Sequence, residues 1–185
     1  WNALKLLNGK GEFISAADGA EILRLADTDS FTFAPVDKLG SYKTNDTALQ
    51  QHIDAIINHP LVDVAAIKKQ KYKIVVDAIN STGAFAIPHL LRELGVKDIV
   101  VLNEEVNGKF AHNPEPLPQH LSGLCTEVNK QHAQLGIAVD PDVDRLCFVC
   151  EDGTLFGEEY TLVAIADYYT LSLHDALPIS EERRV

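Results

Sequence analysis

Methionine is absent from all 185 residues. An intact natural chain normally keeps at least its initiator, so the sequence reads as an internal fragment. No apolar run approaches the roughly 18 residues that cross a bilayer. The first residues contain no basic stretch leading into an apolar one, which excludes a visible secretion signal. Positive charge is scarce: 16 Lys and Arg against 27 Asp and Glu leave a net charge of −11. That is the wrong sign for a nucleic-acid backbone. Cysteine is sparse and odd in number, and Cys125, Cys147 and Cys150 have no second CxxC or His pair to complete a zinc site. They read as reduced core residues of a cytoplasmic protein. What remains is a core-forming composition, 46% hydrophobic and 23% charged. The length suits one domain, or one domain with pieces of its neighbours.

Periodicity divides the chain. Residues 15–29 read as an amphipathic helix capped by Ser15, with Ala20, Ile22, Leu23 and Leu25 as its apolar stripe. Residues 30–45, with Pro35 and Gly40, read as a connector. A helix is expected over 47–58, ended by Pro60. From Lys71 onward, strands and helices alternate: a strand at 72–79, a helix at 86–95 closed by a glycine, and a strand at 98–103. A proline-rich loop (111–118) leads into a helix over about 119–134, and strands follow at 135–140 and 146–152. Alternation of this kind predicts an α/β fold with a parallel-type sheet and helices on both faces.

The third strand runs directly into Asp140-Pro141-Asp142-Val143-Asp144-Arg145. Alternate residues of an extended strand lie roughly 6.6–6.8 Å apart, too far to share one ion. Pro141 leaves the strand ladder, so the segment is expected to curl around a point. Three clustered carboxylates repel and raise one another's pKa unless a cation is present, and hard oxygen donors favour Mg²⁺ over zinc. The spacing of Asp140, Asp142, Asp144 and Glu151 also matches an EF-hand loop. Arg145 stands where that loop needs glycine, and strands flank it, so the EF-hand is rejected. Ligands of open α/β sheets bind at the carboxyl ends of strands. Arg145 beside a metal offers a fork of donors suited to phosphate oxygens. Metal and arginine together point to phosphoryl transfer.

These residues resemble the α-D-phosphohexomutases, the family of phosphoglucomutase, phosphomannomutase and phosphoglucosamine mutase. The stretch DPDVDR is similar to the family's magnesium loop, with Pro141 and Val143 in place of its usual glycines. The stretches KIVVDAINSTGAFAIPHLLRELG and KFAHNPEPLPQHL resemble parts of its second domain, and GTLFGEEYTLVAIADY the start of its third. WNALK, at 1–5, resembles the motif that follows the family's catalytic Ser-His-Asn-Pro loop, which places the start of the chain just after the serine. The resemblance implies a three-layer α/β/α domain at 46–153, with the end of a first domain at 1–45 and the start of a third at 154–169. It implies Mg²⁺ on Asp140, Asp142 and Asp144, with Lys5 and Arg145 as catalytic residues. Lys5 would transfer a proton beside the phosphoserine, and Arg145 would hold the loop or the phosphate. The implied partners are a hexose phosphate and a hexose bisphosphate, with phosphoglucosamine or phosphomannose favoured over phosphoglucose. Two rivals stay open: a haloacid-dehalogenase-type phosphatase, disfavoured by Asp144 where that group carries a hydroxyl residue or valine, and a non-catalytic metal-stabilised α/β domain.

Residues 170–180, TLSLHDALPIS, match one reading-frame translation of a common sequencing-library adapter. The segment 170–185 is therefore expected to be non-native. Deleting it should change the unfolding free energy by less than about 0.5 kcal/mol, as for an unpacked surface segment. Unfolding on deletion, followed by circular dichroism, would exclude the adapter origin.

Overall fold

The computed structural model describes residues 4–157, 160, 161, 163 and 164. The expected non-native segment 170–185 lies outside the described residues, as do 158, 159, 162 and 165–169 of the expected start of a third domain. The chain divides into two compact units, Trp1–Asn45 and Asp46–Val185.

In the first unit Asn8 shapes a tight turn. Its Oδ1 accepts the backbone N–H of Lys10 and of Glu12, at 2.8 and 3.1 Å, and a single antiparallel bridge joins Leu7 to Phe13. Helix α1 (Ala16–Asp27) begins with a reciprocal cap. Ser15 Oγ accepts the Asp18 N–H, and the Asp18 carboxylate accepts the Ser15 N–H, both at 3.2 Å. The apolar stripe is present but uncovered: α1 buries no residue, and Ile22 and Leu23 are exposed. The connector that follows holds only a short 3₁₀ turn at Val36–Lys38.

The second unit contains α2 (Ala48–Ile57), α3 (Val64–Gln70), β1 (Lys73–Asp77), α4 (Gly83–Glu93), β2 (Asp98–Leu102), α5 (Ser122–Gln131), β3 (Leu135–Val139) and β4 (Leu146–Cys150). The strands form one sheet in the order β2-β1-β3-β4. β1 lies parallel to both β2 and β3, as alternation with helices requires. β4 departs from the parallel expectation and runs antiparallel to β3. The cause is length. Only residues 140–145 separate the two strands, and a parallel return needs a crossover of about a dozen residues or more.

Both sheet faces are covered. On one, α5 supplies Leu124 and Val128 against Val75, Ala138, Cys147 and Val149. On the other, Ile74, Val76, Ile137 and Val139 pack with Leu91 of α4 and Ile67 of α3. This is a three-layer α/β/α arrangement. Helix α3 has no counterpart in the sequence expectation; it is seven residues long and capped by Asp63, whose Oδ1 accepts the Ala66 N–H at 2.9 Å. Helix α4 starts three residues before the expected 86 and carries Pro88 in its interior. The early start follows from Ile79 and Asn80, both with positive φ (44° and 57°), which turn the chain abruptly after β1. At its other end, the Val96 N–H donates to Leu91 O and the Gly95 N–H to Arg92 O, both at 2.9 Å. Gly95 takes a φ of 89°, the left-handed stop that the sequence anticipated.

β3 shows the α5 layer only its smallest residues, Gly136 and Ala138, which lets that helix approach closely. A Cβ on Gly136 would stand 2.7 Å from Val128 Cγ2 and 2.8 Å from Val149 Cβ. Gly136→Ala should therefore cost about 1–3 kcal/mol of stability by overpacking. The check is a shift of the urea midpoint at unchanged m-value.

Candidate functional site

The parallel strands end together at one edge of the sheet, and β3 leads there directly into Asp140. This residue is buried, 4% exposed. Its Oδ1 accepts the backbone N–H groups of Asp144 and Arg145, at 3.0 and 3.1 Å, and its Oδ2 lies 3.4 Å from Arg145 Nε. The Val143 N–H donates to Asp140 O at 3.1 Å, completing the turn. The curl expected from Pro141 is thus organised by the first aspartate of the series. Asp142 and Asp144 are exposed, and each of the three residues offers a carboxylate oxygen within 4.8 Å of the others. Oxygens bound to one octahedral Mg²⁺ at about 2.1 Å stand about 3 Å apart when adjacent and about 4.2 Å when opposite. A small inward rotation of exposed side chains closes the difference, and an all-carboxylate donor set is of the hard type that suits this ion.

Val143 reaches its place at a cost. It holds a φ of 63°, a region disfavoured for a β-branched residue. Its side chain packs against the Ile74–Val76 side of the core, which offsets part of that strain. Beside Asp142 and Val143 lies a hollow of about 240 Å³, lined mainly by apolar residues of α2 and α4.

Charge at the loop is unevenly held. Burial raises the pKa of Asp140 above the ordinary aspartate value, the Arg145 backbone N–H opposes the rise, and the Asp144 and Asp142 carboxylates add to it. For Arg145, partial burial disfavours the charge, but the carboxylates of Asp140, Glu115 and Asp144 outweigh it and the pKa is raised. Glu115 comes from the proline-rich loop, with its Oε1 3.6 Å from Arg145 Nη2.

That loop is fastened at a second point, which sequence reasoning did not single out. Asp77, at the end of β1, is 4% exposed. It accepts the Ile79 N–H (3.1 Å) and Asn103 Nδ2 (2.8 Å) at Oδ1, while Oδ2 lies 2.9 Å from His112 Nε2. Asn80 gathers the same edge, donating to Glu105 O at 3.2 Å and accepting the Ala111 N–H at 3.0 Å. Ser81 Oγ donates to Pro141 O at 2.9 Å, tying the turn after β1 to the aspartate loop. The only sequence signal for this network is polar residues placed where a strand ends.

Lys5 is exposed and belongs to the first unit, beside Leu4, Leu6, Phe13 and Ile14 on a shallow surface hollow. Asp140, Asp142, Asp144 and Arg145 belong to the second. Trp1–Ala3, the rest of the WNALK motif's leading part, lie outside the described residues.

Comparison with known proteins bears on this edge. The family profile "Phosphoglucomutase/phosphomannomutase, alpha/beta/alpha domain II" matches residues 50–153, more than half of the chain and all four strands. The chain belongs to this family. It is 36% identical over 168 residues to a phosphoglucomutase/phosphomannomutase of Thermococcus kodakarensis, covering 90% of this chain and 36% of that protein. It is 33% identical over 166 residues to a protein named "Probable phosphoglucosamine mutase" of Methanopyrus kandleri, covering 89% and 35%. A crystal structure of a phosphoglucomutase/phosphomannomutase family protein from Burkholderia thailandensis superposes with a TM-score of 0.68 at 26% identity, covering 84% of this chain and 32% of that one. The chain therefore spans about a third of the length of the relatives it matches. Among the described residues, no helix is long and apolar enough to cross a membrane.

Removing the imidazole from the buried Asp77 pair leaves a carboxylate short of a partner. His112→Ala should cost about 2 kcal/mol, read as a lowered urea midpoint. A midpoint equal to that of the parent chain would show that the fastening carries no stability.

Proposed function

We propose that this chain is a piece of a magnesium-dependent phosphohexomutase, which interconverts hexose 6-phosphate and hexose 1-phosphate through a phosphoserine enzyme and a bisphosphate intermediate. One observation carries the proposal: three carboxylates and an arginine converge at the carboxyl edge of a sheet belonging to this family. The relatives' names include glucose, mannose and glucosamine phosphates, and phosphoglucosamine or phosphomannose is the favoured substrate here.

Asp140, Asp142 and Asp144 would hold Mg²⁺, which when bound neutralises charge on phosphoryl oxygens and improves the serine oxygen as a leaving group. Asp140 shapes the site, since its oxygens also accept the N–H groups that fix the loop. Asp142 and Asp144 are exposed and can rotate toward an ion without disturbing the core. Arg145 is anchored at Nε by Asp140 and braced by Glu115. Its fork-shaped donor set suits phosphate oxygens whose charge is spread in the transition state. Lys5 is assigned proton transfer beside the phosphoserine. The 185 residues contain no Ser-His-Asn-Pro stretch. With the phosphorylated group missing, the chain by itself is expected to show no turnover of a hexose 1-phosphate with catalytic bisphosphate, because positioned groups supply much of this catalysis.

Magnesium at about 100 times its Kd should stabilise the folded chain by about 2.7 kcal/mol, seen as a raised Tm. Asp142→Asn and Asp144→Asn should abolish most of that rise while leaving the metal-free Tm equal or higher, because each removes a repelling charge. Asp140 binds its proton more tightly than an ordinary aspartate, so the magnesium effect should weaken as pH falls through that raised pKa. An unaltered magnesium shift in both asparagine variants would overturn the metal assignment.

A further inference from the structure

The opposite end of the sheet carries a feature that the aspartate loop does not use. The amino ends of β1 and β2 border a cavity of about 380 Å³ lined by Lys68, Lys71, Tyr72, Gly95, Lys97 and Asp98. Small-ligand sites start at about 300 Å³, so a compact molecule fits. The local charge runs against that of the whole chain. Residues 64–76 carry Lys68, Lys69, Lys71 and Lys73 and no acidic residue, in a protein of net charge −11.

The cavity wall is built by the backbone. Helix α3 is followed at once by Lys71, whose φ of 53° turns the chain sharply toward β1. Gly95 closes α4 with a φ of 89° and leaves its missing side chain's place to a lysine. A Cβ there would stand 2.8 Å from Lys68 Cγ and 2.9 Å from Lys68 Cβ. The Lys68 stem is thus laid over the glycine, which restricts where its ammonium can reach. Asp98, the carboxylate on the wall, lies 3.8 Å from Lys73 Nζ, and Lys73 is not among the lining residues. Among the described residues, no carboxylate forms an ion pair with Lys68, Lys71 or Lys97. Three lysines thus line one concave surface, and a lysine ammonium is a point-charge donor for phosphate. Tyr72 adds a partly exposed aromatic wall, 36% exposed.

We propose that this cavity is a binding site for a small soluble molecule carrying a diphosphate or two neighbouring phosphoryl groups. It is separate from the aspartate loop: five-residue strands hold the two ends of the sheet about 16 Å apart. The proposal stands or falls independently of the mutase function, since it uses none of the aspartate-loop residues.

The test is calorimetric titration of the full 185-residue chain with inorganic pyrophosphate, in low salt with a chelator to keep divalent ions off the carboxylates. Saturable one-to-one binding is expected, weakening as salt is raised. Lys71→Ala and Lys97→Ala should each weaken it by about fivefold, the equivalent of about 1 kcal/mol. Lys43→Ala, in the first unit, and Asp142→Asn should leave it unchanged. Circular dichroism melts establish that each variant is folded. No saturable binding by the parent chain would overturn the proposal, as would binding that Lys71→Ala and Lys97→Ala leave at parent strength. Orthophosphate binding as tightly as pyrophosphate would overturn the two-phosphoryl assignment.

Discussion

Asp140 must serve two demands that pull in opposite directions. Directly after a buried strand it sits in a poorly solvated place, where a negative charge is costly, and it is followed by two more carboxylates. The same carboxylate is also the hub on which the chain turns, because two backbone N–H groups and the Arg145 guanidinium converge on it. Donated hydrogen bonds and the arginine lower the cost of the charge without removing it. The positions of Asp144 and Arg145 in the turn follow from this single anchoring point. A loop braced by its own first ligand is preorganised for a cation, because little backbone entropy is left to lose on binding.

The rest of the carboxyl edge consists of ties between loops that the sheet leaves far apart in sequence. Asp77 fastens His112, Asn80 fastens the segment before it, Ser81 reaches Pro141, and Glu115 meets Arg145. These contacts make the turn after β1, the proline-rich loop and the aspartate loop one surface. Loops with such side-chain partners keep their buried polar groups satisfied in a region without strand or helix ladders.

The elements from β1 to β4 were legible because their signals are local. Short apolar runs marked the strands, a glycine marked the end of α4, and the charge pattern after Val139 marked the loop. What escaped depends on tertiary context or on connection length. The direction of β4 is decided by the shortness of 140–145, which hydrophobic patterning does not register. Helix α3 has only seven residues and too little period to stand out, and α4 continues through a proline that reads as a first-turn residue. The Asp77–His112 pair joins residues thirty-five positions apart, so no spacing rule reaches it. Of the candidate site, the four loop residues could be named in advance because they are adjacent in sequence. Their bracing by Glu115 could not.

Gly136 also acts as a register key. In the β3–β4 ladder it stands opposite Val149, within the space that a side chain on β3 would fill. β4 is apolar on both faces, so burial alone discriminates weakly between this pairing and a slip of one residue, which would exchange Cys147 and Val149 for Leu146 and Phe148. A slip in either direction would set Phe148 or Cys150 against the glycine and crowd Val149 against a larger neighbour. The notch left by one missing side chain therefore fixes how far β4 slides along β3. In this way a residue four positions before the first aspartate sets the width of the loop in which all three carboxylates meet.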